Sequence, residues 1–384
     1  MKDYLYFDHA AATSVRPQAQ QAVAKALGEN LGNPSSVHQI GRKARGLIDE
    51  ARLDLAEIFM VKSSEVIFTS GATEAAHTGI IGAYLALKSK RGVIYTSPLV
   101  HSCVHEALDF LAQNYAVKVK PLPLSKTGHI DLESIDEKLI GESDMIVIEH
   151  LNSEMGILQP AAKLGKKIIR WAEESGNLKP LFMVDTAASA VSERVGLDFQ
   201  KCDLLTLSAE KIGGISGTGV LLKKENVSLV PLQGGTQEWG WRGGTENTLG
   251  ILALHEAFKA LFKNQEAQNQ NLETIKKLLI NFLNSEFPEV KMTTPEEGSG
   301  LHILHLILPQ TPSSLFVVQA DLQGVGLSAG SACSSGSVEG SKVLKALGFS
   351  DLEAAQGLRI SWGWDTTLEE TEALIVRLKT LLKS

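Results

Sequence analysis

The stretch Leu204-Leu205-Thr206-Leu207-Ser208-Ala209-Glu210-Lys211-Ile212-Gly213-Gly214 carries an apolar, strand-like run into Ser-x-x-Lys and then into glycines. Upstream, Leu181-Phe182-Met183-Val184-Asp185 closes a second apolar run on an acid. A lysine held among apolar neighbours loses its proton readily and can form a Schiff base with an aldehyde. A carboxylate in the same pocket can keep a pyridine nitrogen protonated, so that the ring accepts electrons. Together the two segments point to pyridoxal 5'-phosphate chemistry, with Lys211 as the amine and Asp185 as the acid.

Working outward, strand-like runs at 66–68, 92–96, 117–121, 145–149, 181–185, 204–207 and 219–222 are separated by polar or amphipathic helical stretches. This alternation predicts an α/β fold with a mainly parallel sheet. Residues 265–282 are strongly amphipathic, and the segments after them read as a strand near 301–306, a helix over 315–323 and a closing helix over 368–382. At 384 residues the chain is long for one core. The expected division is a large domain over 14–257 and a smaller one formed by 1–13 and 258–384, with the boundary falling near 255–265.

The composition narrows the function. Net charge is −7, 21% of residues are charged, and no long run of like charge occurs, which argues against a nucleic-acid-binding surface. The start Met1-Lys2-Asp3-Tyr4 is charged too soon for a signal peptide, and no apolar run approaches the length of a membrane span. A cytoplasmic protein without membrane contact is expected. The three cysteines, Cys103, Cys202 and Cys333, show no Cys-x-x-Cys spacing, so neither a disulfide framework nor a metal site is expected. Cys103 and Cys202 have mixed or apolar surroundings and read as inert. Cys333 differs: Ala329-Gly330-Ser331-Ala332-Cys333-Ser334-Ser335-Gly336 offers little apolar area to pack it, which suits a reactive thiol.

Two further segments end strands where ligands bind in such sheets. Thr69-Ser70-Gly71-Ala72-Thr73-Glu74 leads a strand into a helix and can present N–H groups and a hydroxyl to a phosphate, although a capped helix start would look the same. His101 follows the run 92–96, and its ring could stack on a flat cofactor and move protons.

In combination these motifs resemble the cysteine desulfurases of the fold-type I, class V aminotransferase superfamily. The likeness spans nearly the whole chain. Besides the segments above, Tyr6-Phe7-Asp8-His9-Ala10-Ala11-Ala12-Thr13, Gly32-Asn33-Pro34, Asn152-Ser153-Glu154-Met155-Gly156, Arg242-Gly243-Gly244-Thr245-Glu246-Asn247 and Arg359-Ile360-Ser361 carry it. The resemblance implies a seven-stranded, mainly parallel sheet in a large domain, with a smaller α+β domain carrying the Cys333 loop. It implies that Lys211 binds the cofactor aldehyde, Asp185 pairs with the pyridine nitrogen and His101 stacks on the ring. Ala72, Thr73 and Ser208 would hold the phosphate, joined across a homodimer interface by Thr245 of the other subunit. Arg359, with Asn33 and Asn152, would bind the substrate L-cysteine, and Cys333 would take its sulfur as a persulfide for a protein acceptor.

Three positions expected at the cofactor depart from the usual pattern. Glu210 stands for a histidine, Ala188 for a glutamine that bonds the ring oxygen, and Ser153 for the second asparagine of a pair. These departures leave open a related reaction, as a selenocysteine lyase, an aminotransferase or a lyase on another small amino acid, and also a non-catalytic homologue that binds partners.

Overall fold

The computed structural model describes residues 4–309, 311–330 and 340–383. Its strands are β1 (Leu5–Tyr6), β2 (Val66–Thr69), β3 (Val93–Thr96), β4 (Lys118–Pro121), β5 (Met145–Glu149), β6 (Leu181–Asp185), β7 (Leu204–Ser208), β8 (Gly219–Lys223), β9 (Lys291–Met292), β10 (Ile303–Ile307), β11 (Val325–Gly326) and β12 (Gly357–Ser361). The seven runs read from the sequence become one seven-stranded sheet in the order β2-β8-β7-β6-β5-β3-β4. Pairs β3/β4, β3/β5, β5/β6 and β6/β7 are parallel, whereas β8 runs antiparallel to both β2 and β7.

The central strands are apolar throughout because both faces of the sheet are covered. Ile146, Ile148, Phe182, Val184, Leu205 and Leu207 pack into a core on one face. Met145, Val147, Met183 and Leu204, one step out of phase, pack into a core on the other with Val104 and Cys103. Continuing the alternation, Glu149, Asp185 and Thr206 fall on the second face, the face of the helix Ser102–Tyr115. Burying one such aliphatic side chain contributes roughly 1.5–3 kcal/mol, which is ample to fix strand register.

A single helix, Thr248–Glu286, runs through the region where the sequence suggested a boundary. Asn247 caps it, its side chain accepting from the N–H of Gly250 at 3.1 Å. Over its length of about 58 Å it serves two cores. Ile251, Leu254, Phe258 and Leu261 belong to the large-sheet core. Leu272, Ile275, Leu279 and Phe282 belong to a second core with Leu306, Ile360 and Trp362. The division at 257/258 thus falls inside an unbroken helix, and the change of core lies between Leu261 and Leu272.

The second core holds the antiparallel sheet β12-β10-β9 and the short parallel pair of β1 and β11. The expected later elements appear as β10 and the helices Ser313–Leu322 and Leu368–Leu381. Phe7 also packs in this core, so the N-terminal strand anchors the chain there before residues 10–12 turn into the cavity described below. Among the described residues no helix is long and apolar enough to cross a membrane.

Candidate active site

A cavity of about 400 Å³ opens where the parallel strands end, the place where open α/β sheets bind ligands. Lys211, Asp185, His101, Ala72, Thr73, Ser153, Glu210, Ala188 and Arg359 all line it. The sequence separates these residues by up to 287 positions, and the sheet collects them.

At one end, β2 runs into Ser70-Gly71 and the helical turn from Ala72. Gly71 has φ 155° and nothing within 4 Å of the site a Cβ would occupy, so glycine leaves that side open. The Glu74 carboxylate folds back, accepting from the Ser70 N–H at 2.7 Å and from Arg242 Nε at 2.8 Å. Ser208 closes β7, and its Oγ is buried without a hydrogen-bond partner.

Lys211 sits in the turn Ala209–Ile212, which ends on Gly213 at φ 88°. A side chain at Gly213 would meet Arg16 Cγ at 2.6 Å, so the turn needs glycine twice over. Lys211 Nζ donates to the carbonyls of Ala10 and Ala11 at 2.9 and 2.7 Å. The carboxylate of Glu210 has no hydrogen bond or ion pair among the described residues.

The other end is built from buried polar side chains. Asp185 is only 4% exposed. Its Oδ1 accepts from Thr206 Oγ1 at 2.6 Å and from the Ala187 N–H at 3.0 Å, which orients the carboxylate. His101 caps the helix Ser102–Tyr115: Nδ1 accepts from the Cys103 N–H at 3.3 Å and lies 3.1 Å from Cys103 Sγ. In the neutral ring that contact places the proton on Nε2, and burial pushes the His101 pKa below the ordinary histidine value. Cys103 lines the cavity too, its thiol pushed up first by burial and then by the charge of Asp185. Cys202 is fully buried elsewhere.

Arg359, on β12, enters from the second core. Nη2 donates to Asp8 Oδ1 at 2.7 Å and Nη1 to the Ser153 carbonyl at 2.8 Å, while Nε is buried without a partner. A cation pinned at the rim of the cavity in this way can bind a carboxylate.

Other expected residues lie elsewhere. Asn152 is buried: Nδ2 donates to the Leu99 carbonyl at 2.7 Å and Oδ1 accepts from the N–H groups of Met155 and Glu154 at 2.7 and 3.2 Å. It shapes the turn that presents Ser153 and does not line the cavity. Asn33 is exposed, accepting from the Ser35 N–H at 2.9 Å, and does not line the cavity of its own chain. Thr245 borders a neighbouring depression of about 50 Å³, which shares Ser70 and Gly217 with the main cavity. Cys333 lies outside the described residues.

Two residues that the sequence reading passed over belong to the site. Glu149 closes β5 and lines the cavity; it ends an apolar strand just as Asp185 does, and that signal was available. Asp8 holds Arg359 from a distance of 351 positions along the chain, and no local pattern announces such a pair.

The residues suit pyridoxal phosphate. Gly71, Ala72 and Thr73 line the cavity, and the open side of Gly71 leaves room there for a phosphate; the Ser208 Oγ is buried without a partner and does not line the cavity. Asp185 keeps one oxygen clear of Thr206 and Ala187, and Lys211 is the cavity's amine.

Comparison with known proteins agrees with this geometry. The chain is 32% identical over 390 residues to the cysteine desulfurase IscS of Dictyoglomus turgidum, covering 99% of this chain and 97% of that protein. A solved NifS-like protein superposes with a TM-score of 0.89 at 27% identity, covering 99% of both chains. SspA, solved in complex with cysteine, matches with a TM-score of 0.79 at 29% identity over 94% of this chain and 99% of that one. Residues 5–374 match the aminotransferase class-V family, and with Lys211, Asp185 and Arg359 gathered around one cavity, the chain belongs to the class-V aminotransferases.

Proposed function

We propose that this protein is a pyridoxal-phosphate-dependent cysteine desulfurase, converting L-cysteine to L-alanine and passing the sulfur to an acceptor. The observation that carries the reading is the gathering of an amine, a ring-end acid and a carboxylate-binding guanidinium in one cavity. The bound cofactor supplies an electron sink for bonds broken at the amino-bearing carbon. Lys211 would hold its aldehyde end, Asp185 its ring nitrogen, and Ala72, Thr73 and Ser208 its phosphate. His101 covers the ring.

Arg359 binds the α-carboxylate of L-cysteine with two parallel N–H donors, and Asp8 fixes its plane. Lys211 Nζ would move a proton at the α-carbon of the substrate. The Cys333 thiolate attacks the substrate sulfur. The new S–S bond forms as the C–S bond breaks, and the electron pair left on carbon takes up a proton to give alanine. The persulfide then passes to a protein acceptor. Thr245 completes the phosphate site of the other subunit in a homodimer.

The test is alanine release from L-cysteine under reductant, with the visible spectrum of the purified protein recorded alongside. Sustained turnover that is lost in Cys333→Ser supports the reading. A yellow protein that releases no alanine points to another small amino acid, including selenocysteine, and a colourless one to a non-catalytic partner-binding homologue.

A further inference from the structure

Strand β5 closes on Glu149 and β6 on Asp185, and the register makes the two residues direct partners. Both carboxyl groups therefore reach the same face of the sheet and the same cavity. They are not equivalent. Asp185 is held by donors from Thr206 and Ala187. Glu149 is 4% exposed; its Oε1 accepts from the Ser153 N–H at 3.2 Å, and its Oε2 is buried with no hydrogen-bond partner among the described residues. A buried oxygen left this way is costly unless a ligand completes it.

Burial, and then the charge of Asp185, push the Glu149 pKa well above the ordinary glutamate value, outweighing the pull of Ser153 and Asn152. The cavity's cations do not relieve it: Lys211 is engaged by the Ala10 and Ala11 carbonyls, and Arg359 by Asp8 and Ser153. His101, across the cavity on the helix after β3, is kept neutral by burial. A carboxyl group that carries its proton is a donor.

The sheet order shows where that donor faces. The phosphate-side residues follow β2 and β7, on one side of β6, whereas Glu149 lies on β5, on the other. A ring with its nitrogen at Asp185 and its phosphate toward β2 and β7 turns its opposite edge, which bears the ring oxygen, toward β5. Ala187 and Ala188, just after β6, line the cavity with methyl groups, and Glu149 and Ser153 line it after β5.

We infer that Glu149 is a cofactor-binding residue of this site, its Oε2 donating a hydrogen bond to the ring oxygen of pyridoxal phosphate. The inference rests on the cofactor reading proposed above.

The experiment titrates pyridoxal phosphate into the full-length protein freed of cofactor, following affinity and the visible spectrum. Glu149→Leu removes the donor while filling the space, and is expected to raise Kd roughly tenfold, the loss of about one hydrogen bond, and to shift the spectrum. Glu149→Gln keeps an N–H donor and is expected to stay within roughly threefold of wild type. The cofactor-free Glu149→Leu protein should melt no lower than wild type, since a buried polar group has been removed, while the rise in Tm on cofactor binding shrinks. A structural role alone would do the reverse. Where leucine does not fold, Glu149→Met repeats the measurement. Unchanged affinity and spectrum in the apolar variant would overturn the inference, as would a Glu149→Gln protein as weak as Glu149→Leu, because an ionised carboxylate would then be at work. If wild type itself fails to bind pyridoxal phosphate, the cofactor reading falls and this inference with it. Binding by wild type that both variants match removes only the inference.

Discussion

The two ends of the cavity are built by opposite means. The end proposed for the phosphate uses backbone and small residues: Gly71 opens the turn, and Ala72 and Thr73 start the helix. The ring end uses buried ionisable side chains, Asp185, Glu149 and His101, each needing specific neighbours to set its proton. Backbone cradles tolerate sequence change because the N–H groups are always present. A ring end made of side chains can be altered one residue at a time, and Glu149, Ser153 and Ala188 lie together on that side.

If this contrast holds, substitutions at the ring end change rate or proton behaviour, and those at the phosphate end change affinity. The largest effect is expected from Asp185→Ala. Steady-state kinetics at saturating cofactor should show kcat lowered by roughly 10²–10⁴-fold, the span of a positioned proton's contribution, while the protein still binds pyridoxal phosphate. An equal loss of affinity would erase the distinction between the ends.

The next test concerns stability. Burial and the charge of Asp185 hold the Glu149 pKa in the folded chain well above its ordinary value of 4.5, which the unfolded chain regains. Between that value and the raised folded pKa the folded state binds up to one more proton than the unfolded state, so wild type loses stability as pH rises through this window. Glu149→Gln has no such loss. Urea denaturation of the cofactor-free proteins should therefore show the gap in favour of Glu149→Gln widening by up to about 1.4 kcal/mol per pH unit from pH 4.5 upward. A gap that does not change with pH would mean that Glu149 ionises in the fold.

The smallest effect is expected at Glu210. Its carboxylate faces the cavity without a partner among the described residues, and a like charge near a phosphate is unfavourable. Glu210→His should tighten pyridoxal phosphate binding by about fivefold, equivalent to about 1 kcal/mol, with kcat nearly unchanged. A change in kcat instead would move Glu210 to the ring end.

Much of this architecture was legible because its signals are local. An apolar run that stops on Asp185, or on Ser208 before Lys211, marks a strand end and the residue it delivers, and the structure collects Lys211, Asp185, His101, Ala72, Thr73 and Arg359 around one cavity. The same logic applied to Met145-Ile146-Val147-Ile148-Glu149 would have found Glu149, but an acid at a strand end reads equally well as solvated. The continuity of the helix Thr248–Glu286 across the expected boundary has a comparable cause. Periodicity marks the amphipathic part of the helix after residue 265, yet its first half is apolar on several sides because it is buried against the large core, so the pattern fades where the helix does not.

By itself the sequence determined the seven strands of the large sheet, their alternation with helices and the choice of Lys211 as the candidate amine, because side-chain period and strand-end chemistry depend on neighbours a few positions away. Tertiary structure alone decided that Glu149 faces Asp185, that Asn152 turns its amide into the protein, and that Asp8 orients Arg359 from 351 positions away. Those are matters of strand register and of contact between the two cores, and they are fixed only when burial of both sheet faces selects one pairing over its alternatives.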